Sequence, residues 1–495
     1  MIFKILLSAS CLYLAFPNIF DAHGFWPLAW FFAVPLFDIL DGKNIKEKCW
    51  IGVLSGLLSY GLLVQWLWPV HEIGTIFFVL ALSIQTIIFC SLFLSCTHSW
   101  LGLIYVPALW VASEFVRTWI LQGFCWSVGY SQSFQPSLIQ LAAWTGTYGV
   151  SFVIVFVNYC LYKALRIPST RTLYLVMALA AFAGTYAVGA GLRHGKQSDQ
   201  LLFSVCAVQP NISSMTKLDL SAFDRVIETQ VNLTEKALSL QTAHFIVWPE
   251  TSFPADLLKD RVWYPRLAQI AVEHGSFFLL GAAPMREGKT FNSAVLLDPR
   301  GKTIDIYDKQ FLVPFSEHMP SGKWFSGFKQ LLHSHGFDFT PGNRTGILGI
   351  PSVDGHRGPL RLGVMICSEV CYPSLVRRLA GEGADFAVVI LNDGWFTQPA
   401  AIMMHAQNTI MRAVEAGFDI VSVGNTGLTA RVSREGMVNL KEQLPLQREA
   451  YGFFAVYPSG PTTVYARIGD FFAMSCLLFV IIILTYQFRK NLKKT

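Results

Sequence analysis

The sequence predicts an integral membrane α-helical bundle that carries a layered α/β domain, and three observations lead there. Hydrophobic residues make up 53% of the 495 residues and charged residues only 14%, whereas an ordinary soluble chain carries about 25% charge. The apolar residues gather in residues 1–192 and 467–488, in runs close to the roughly 20 residues that cross a bilayer. Between them, over 200–465, charges, Gly, Pro and short β-branched runs return, and that stretch is long enough to bury a core of its own.

Candidate spans run over 2–20, 24–40, 50–68, 74–96, 100–118, 147–165, 172–191 and 467–488, about eight in all. The segment 24–40 is the shortest of them and contains Pro27 and Pro35. Lys4 followed by an apolar run imitates a secretory signal. No small-x-small cleavage site follows, however, and a second apolar segment comes at once, so the first run is read as a retained span. Loop charges set the orientation. With the N-terminus inside, Lys43, Lys46 and Lys48, then Lys163, Arg166 and Arg171, then Arg489, Lys490, Lys493 and Lys494 all fall on the cytoplasmic side. The opposite loops, 66–74 and 119–146, are nearly free of Lys and Arg. The domain at 200–465 is therefore expected outside the cytoplasm, which in a bacterium means a periplasmic domain on the inner membrane. The same distribution accounts for the net charge of +6 as membrane topology and speaks against a nucleic-acid partner.

The outer loops are rich in aromatic residues, including Trp66, Trp68 and Trp126. Such residues ordinarily anchor a chain at the headgroup level; a lipid-facing wall beside an active site is the alternative. Glu114 and Arg117, near the end of the fifth span, are read as an interfacial pair or as snorkelling side chains. Of the ten cysteines, Cys11, Cys90, Cys96, Cys160 and Cys476 lie in spans, where cysteine acts as a small apolar residue. Cys206, Cys367 and Cys371 fall in the globular part. No Cys/His spacing points to zinc, and no Gly-x-Gly-x-x-Gly or phosphate loop points to a nucleotide, so neither metal nor cofactor is expected.

In the globular part short strand candidates such as 202–208, 245–248, 277–281, 360–366, 386–391 and 420–424 alternate with helical stretches, the rhythm of a layered α/β fold. At three places an apolar strand ends in one functional residue. Phe245-Ile246-Val247-Trp248 runs into Pro249-Glu250. Ile304-Asp305-Ile306-Tyr307-Asp308 leads to Lys309. Val364-Met365-Ile366 ends in Cys367-Ser368-Glu369, followed by Pro373 and a helix-prone segment. That last order reads as a sharp strand-to-helix turn that exposes Cys367 beside the N–H groups of a helix start. A thiol attacking a carbonyl needs a base for its proton and donors for the developing oxyanion. Glu250 fits the base and later proton donor. Lys309 fits the oxyanion partner, with help from the backbone N–H of Ser368.

In this order Trp248-Pro249-Glu250, Asp308-Lys309 with Pro314-Phe315 and Glu317, and Cys367-x-Glu369 resemble the nitrilase (carbon–nitrogen hydrolase) superfamily. Within it they resemble the membrane-embedded apolipoprotein N-acyltransferases of bacteria. Gly123-Phe124, Gly129-Tyr130-Ser131-Gln132, Asn392-Asp393-Gly394-Trp395-Phe396, His405, Met411-Arg412-Ala413 with Glu415, and Tyr465-Ala466-Arg467 match as well. The resemblance implies an αββα sandwich and a two-step acyl transfer. A thioester on Cys367 would form from a phospholipid donor such as phosphatidylethanolamine, and the acyl chain would pass to the α-amine of a diacylated apolipoprotein. It also implies that Glu317 positions Lys309 and that Trp126 and Trp395 line a lipid entrance; Glu369 and Ser368 are expected to support the site, and Trp66, in the aromatic outer loop, to contact lipid. Three departures are visible. Ser368 stands where an aromatic residue is usual, Cys125 where a proline is, and the segment 215–220 lacks a tryptophan. A membrane-anchored amidase using water as acceptor is the alternative, but an anchor needs one or two spans rather than about eight.

Overall fold

The computed structural model describes residues 1–94, 100–124, 126–193, 201–314, 316–318, 338–351, 359–396 and 398–492. Cys96, Cys125, Phe315, Lys493 and Lys494 lie outside the described residues. The chain divides into two compact units, Met1–Lys196 with Thr463–Thr495, and Gln197–Thr462.

The first unit is helical: α1 Ile2–Ala15, α2 Val34–Leu40, α3 Ile45–Leu63, α4 Glu72–Leu92, α5 Gly102–Ile120, α6 Thr147–Arg166 and α7 Arg171–Arg193. A last helix, Phe471–Leu492, closes the unit. Among the described residues four helical segments are long and apolar enough to cross a membrane, namely Glu72–Leu92, Thr147–Arg166, Pro168–Arg193 and Phe471–Lys490. Ile2–Ala15 and Trp26–Leu40 are shorter apolar helices. The Trp26–Leu40 stretch breaks into a 3₁₀ turn, Trp26–Trp30, and α2, each with a proline in its first turn. A proline lacks the N–H that a helix interior requires but is tolerated at a helix start. Gly52 lets α3 and α4 approach closely, since a Cβ there would lie 2.8 Å from the Cα of Ile87.

Glu114 and Arg117 do not snorkel; both are buried inside the unit. Glu114 accepts hydrogen bonds from the indole of Trp110 and the N–H of Val128, each at 2.8 Å. Arg117 donates to Gln85, to the hydroxyl of Tyr60 and to the carbonyl of Trp126. Burying a charge is costly unless it is hydrogen-bonded, and here the bonds that are made pin the 126–128 segment to α3, α4 and α5.

The second unit is built on two sheets. The first contains β1 Phe203–Gln209, β2 Phe245–Val247, β3 Phe277–Ala282, β4 Ser293–Leu297 and β5 Thr303–Asp308. The second contains β6 Ile347–Ile350, β7 Leu360–Ile366, β8 Phe386–Leu391, β9 Ile420–Gly424 and β10 Ala430–Val432. The chain then returns as β11 Ala450–Val456 to pair with β1, giving the orders β11-β1-β2-β3-β4-β5 and β10-β9-β8-β7-β6. β1, β2 and β3 run parallel, as do β7, β8 and β9, and the outer strands are antiparallel.

Strand residues alternate between two apolar environments, which is why these strands read as near-continuous hydrophobic runs. Val205, Ala207, Phe245, Val247 and Leu279 meet Leu362, Val364, Ile366, Val388 and Val421 in the core between the sheets. Cys206, Val208, Ile246, Trp248 and Phe278 face the other way, against Val226, Ile227, Leu267 and Ile270 of α8 Phe223–Leu238 and α9 Trp263–His274. On the far side, Leu379 of α10 Pro373–Gly381 packs over Gly363 of β7, beside α11 Pro399–Ala416. The layers run helix, sheet, sheet, helix.

Candidate active site

β7 passes directly into a 3₁₀ turn, Cys367–Cys371, and Pro373 then opens α10. Cys367 adopts φ +53°, a left-handed conformation that costs a non-glycine residue on the order of 1 kcal/mol or more. Its surroundings hold it there. One oxygen of buried Glu369 accepts the N–H of Ile366 at 2.8 Å. The other accepts the hydroxyl of Tyr307 at 2.8 Å and the N–H groups of Gln310 and Phe311 at 2.7 and 3.3 Å. His405 Nε2 lies 3.3 Å from the carbonyl oxygen of Cys367, and its Nδ1 lies 2.9 Å from Asp393. Cys367 and Cys371 are both free thiols.

Glu250 follows β2 and Lys309 follows β5, and the two meet with Glu317 in a buried cluster. Lys309 Nζ lies 3.1 Å from Glu250 Oε1 and 2.9 Å from Glu317 Oε1. Asn292, just ahead of β4, donates from Nδ2 to the same two oxygens at 2.8 and 2.9 Å. The other oxygen of Glu317 accepts the N–H of Val313 at 2.8 Å. Close approach of backbones sets the position of Glu250. A Cβ on Gly281 of β3 would lie 2.6 Å from the carbonyl oxygen of Pro249 and 2.7 Å from the Cα of Glu250.

Residues 204–457 match the family model described as carbon-nitrogen hydrolase. The chain belongs to the carbon–nitrogen hydrolase family. Residues 8–160 match the model of the apolipoprotein N-acyltransferase N-terminal domain. An apolipoprotein N-acyltransferase of Geobacter metallireducens is 29% identical over 508 residues, covering 98% of this chain and 95% of that protein. Apolipoprotein N-acyltransferase 1 of Treponema denticola is 25% identical over 527 residues, covering 97% of this chain and 95% of that protein. Among solved structures, an amidase from Nesterenkonia sp. aligns with a TM-score of 0.40 at 17% identity, covering 55% of this chain and 95% of that one.

The electrostatics of this carbon–nitrogen hydrolase site divide the labour. Burial raises the Cys367 thiol well above its ordinary pKa, and the Glu250 carboxylate pushes it further, against the pull of Lys309. Burial also opposes the charge on Glu250, but Lys309 and hydrogen bonds from Asn292, Lys309 and Cys367 outweigh it and lower its pKa. Lys309 is raised despite burial, because Glu250 and Glu317 flank it. The resting site therefore holds a thiol beside an ionised carboxylate, with a lysine fixed as a cation. Burial lifts Glu369 to about 7 against its four hydrogen bonds. His405 is raised despite burial, because of Asp393.

The hydrolase unit brings Glu250, Lys309, Glu317, Cys367 and Glu369 together. Ser368 follows the nucleophile; its hydroxyl is buried and finds no partner among the described residues, and its N–H lies at the start of a helical turn, where donors are left over. Trp395 ends the 3₁₀ turn Asp393–Trp395 and is 39% exposed. Trp66 and Trp126 belong to the helical unit, where Trp126 packs against Phe16 and Phe78 and Trp66 sits in the turn Gln65–Leu67. Residue chemistry alone does not point to Asn292, whose only signal is a buried amide ahead of an apolar strand. Nor does it give a role to the Asp393–His405 pair. Cys367 Sγ, an Asp393 oxygen and a His405 nitrogen lie within 4.8 Å of one another, a donor set of metal-binding type. In this structure both His405 nitrogens are already engaged, with Asp393 and with the Cys367 carbonyl.

Proposed function

We propose that the chain is an apolipoprotein N-acyltransferase that moves an acyl chain from a phospholipid, through a thioester on Cys367, to the N-terminal amine of a diacylated apolipoprotein. One observation carries the reading: the buried Glu250–Lys309 pair, with Cys367 beside it, stands on a chain whose residues 8–160 match that enzyme's N-terminal domain. On this reading residues 1–192 and 467–488 cross the bacterial inner membrane in about eight spans, and residues 200–465 form a periplasmic catalytic domain. Phosphatidylethanolamine is the donor, and Trp66, Trp126 and Trp395 are the lipid-contacting residues.

The geometry supports a definite sequence of steps. Glu250 takes the Cys367 proton as Sγ attacks the ester carbonyl. Neutralising Glu250 removes one of the two charges that balance Lys309, so the ammonium becomes free to hold the oxyanion as it forms, together with the Ser368 N–H. The tetrahedral intermediate collapses, the lysophospholipid oxygen leaves with the proton from Glu250, and the thioester remains. The acceptor amine then attacks the thioester, and Cys367 leaves as the thiol.

The test is a labelled-acyl assay on the full-length protein in phospholipid vesicles with a synthetic diacylated lipopeptide. The wild type is expected to form a hydroxylamine-labile acyl-enzyme and a triacylated peptide, and Cys367→Ala to form neither. Transfer by Cys367→Ala would refute the mechanism. Release of free fatty acid with no triacylated peptide would make the chain a hydrolase.

A further inference from the structure

Acyl transfer to an amine leaves one proton unaccounted for. Near neutral pH an α-amine with a pKa of about 7.7–8.0 is largely ammonium. Its nitrogen gives up two protons on the way to an amide, and only one of them returns, through Glu250, to Cys367. A second base is needed, and most groups in the site are committed. Lys309 is held as a cation between Glu250 and Glu317. His405 faces a carboxylate and a carbonyl on its two ring nitrogens, and Asp393 raises its pKa well above the ordinary value despite burial, which favours the protonated ring. Glu369 already accepts four hydrogen bonds. Glu317 is taken up by Lys309, Asn292 and the N–H of Val313.

Lys217 is different. It lies on the short helix Ser214–Leu218, is 6% exposed, and donates from Nζ to the main-chain oxygen of Glu250 at 3.2 Å. Among the described residues no carboxylate closes an ion pair with it, although the charge on Glu250 attracts it. Two asparagines tie the chain leading into its helix to the turn after Glu250. Asn425 takes the N–H of Ile212 at 3.0 Å and donates to Asn392 at 3.0 Å, and Asn392 donates to Thr251 at 3.1 Å. Asp393, on the neighbouring turn, is paired with His405. Burial outweighs the attraction of Glu250 and brings the Lys217 amine down to about 7, within reach of both protonation states at neutral pH.

We infer that Lys217 is a second base, whose neutral amine takes the first proton of the acceptor ammonium, directly or through one water, during aminolysis of the Cys367 thioester. The inference rests on the acyltransferase reading. The step balances: the ammonium becomes an amine as Lys217 becomes an ammonium. The nitrogen then bonds to the thioester carbon, Glu250 carries the second proton from nitrogen to Sγ as the C–S bond breaks, and Lys217 releases its proton to solvent.

Lys217→Met and Lys217→Arg, made in the full chain in phospholipid vesicles, test it. Arginine keeps a cation and a donor for the Glu250 carbonyl but cannot serve as a base. Both variants are expected to accumulate the acyl-enzyme and to transfer to the diacylated lipopeptide at rates that fall about ten-fold per pH unit below the amine's own pKa. The deficit should close at higher pH. With hydroxylamine, an acceptor already uncharged at neutral pH, both should deacylate at the wild-type rate. The inference is overturned if Lys217→Arg transfers like the wild type, if both acceptors are slowed equally at every pH, or if both variants lose thioester formation itself. A wild type that makes no triacylated peptide overturns instead the acyltransferase reading beneath it.

Discussion

Gly281→Ala separates the placement of Glu250 from its chemistry. The new Cβ would stand 2.6 Å from the carbonyl oxygen of Pro249, 2.6 Å from the nitrogen of Thr251 and 2.7 Å from the Cα of Glu250, all backbone atoms, where ordinary contact begins at 3.4 Å. β3 cannot retreat, because it is paired with β2 on one side and β4 on the other. The turn carrying Glu250 must move instead, by about 0.8 Å if the shortest contact is to relax fully. A misplacement near 1 Å costs about 100-fold in a step that depends on near-attack geometry. Overpacking of this kind costs about 1–3 kcal/mol of stability, small enough to leave the unit folded. Single-turnover formation of the Cys367 acyl-enzyme measures the effect, with thermal unfolding as the control. A Gly281→Ala protein that acylates within about three-fold of the wild type would refute the claim that this contact sets the base.

Asn292→Ala removes one donor shared by two carboxylates; a hydrogen bond to a charged group is worth about 1.5–3 kcal/mol, so acylation should slow by about 10- to 100-fold with the acyl-donor KM little changed, as steady-state kinetics will show. Glu369→Gln offers one acceptor oxygen where the native carboxylate uses two, so its amide must face either Ile366 or the Tyr307–Gln310 donors; a loss of about 1–3 kcal/mol in chemical denaturation and a fall in kcat are expected. The pH dependence follows from Glu250 and Lys309. The pKa of Glu250 is lowered, so its contribution to stability is complete above the ordinary value of about 4.3 and is lost as pH falls through the lower folded value. That of Lys309 is raised, so its contribution is complete below about 10.4 and is lost as pH rises through the higher folded value. Melting curves of the wild type and Glu250→Gln should therefore differ by a constant amount across neutral pH and converge in acid.

What could be read from the sequence was what depends on short range. Strand ends at Glu250, Lys309 and Cys367 were visible because each is a polar residue terminating an apolar run, a pattern written within about ten residues. Sheet order was not visible, since β11 pairs with β1 from almost 250 positions away in the chain, and nothing local specifies that return. Asn292 escaped for a related reason. An asparagine before a strand is an ordinary turn residue, and its importance comes from two carboxylates that approach it only in three dimensions. Lys217 carries no local signal in the sequence, since only the fold buries it. Glu114 and Arg117 looked like interfacial charges because hydropathy records composition along a helix and is blind to partners such as Gln85 and Tyr60 on its neighbours.

The two-sheet arrangement poses a problem that Glu369 solves. Glu250 and Lys309 extend from strands of the first sheet and are tied to each other by a direct ion pair, while Asn292 bridges Glu250 to Glu317. Cys367 extends from the second sheet, and the apolar core that separates the sheets is a non-directional adhesive. Such a core fixes the spacing of the layers but sets no individual hydrogen-bond length between them. Glu369 sits on the Cys367 turn, yet three of its four donors, Tyr307, Gln310 and Phe311, belong to β5 and its continuation on either side of Lys309. One buried carboxylate thus sets the distance between the cation and the nucleophile across the layers, while its fourth bond, to Ile366, restrains the left-handed turn at Cys367. Four directional bonds converging on one group define a position more sharply than any of the apolar contacts around it. That is why an ionisable side chain, desolvated at some cost, stands where an aliphatic one would pack more easily.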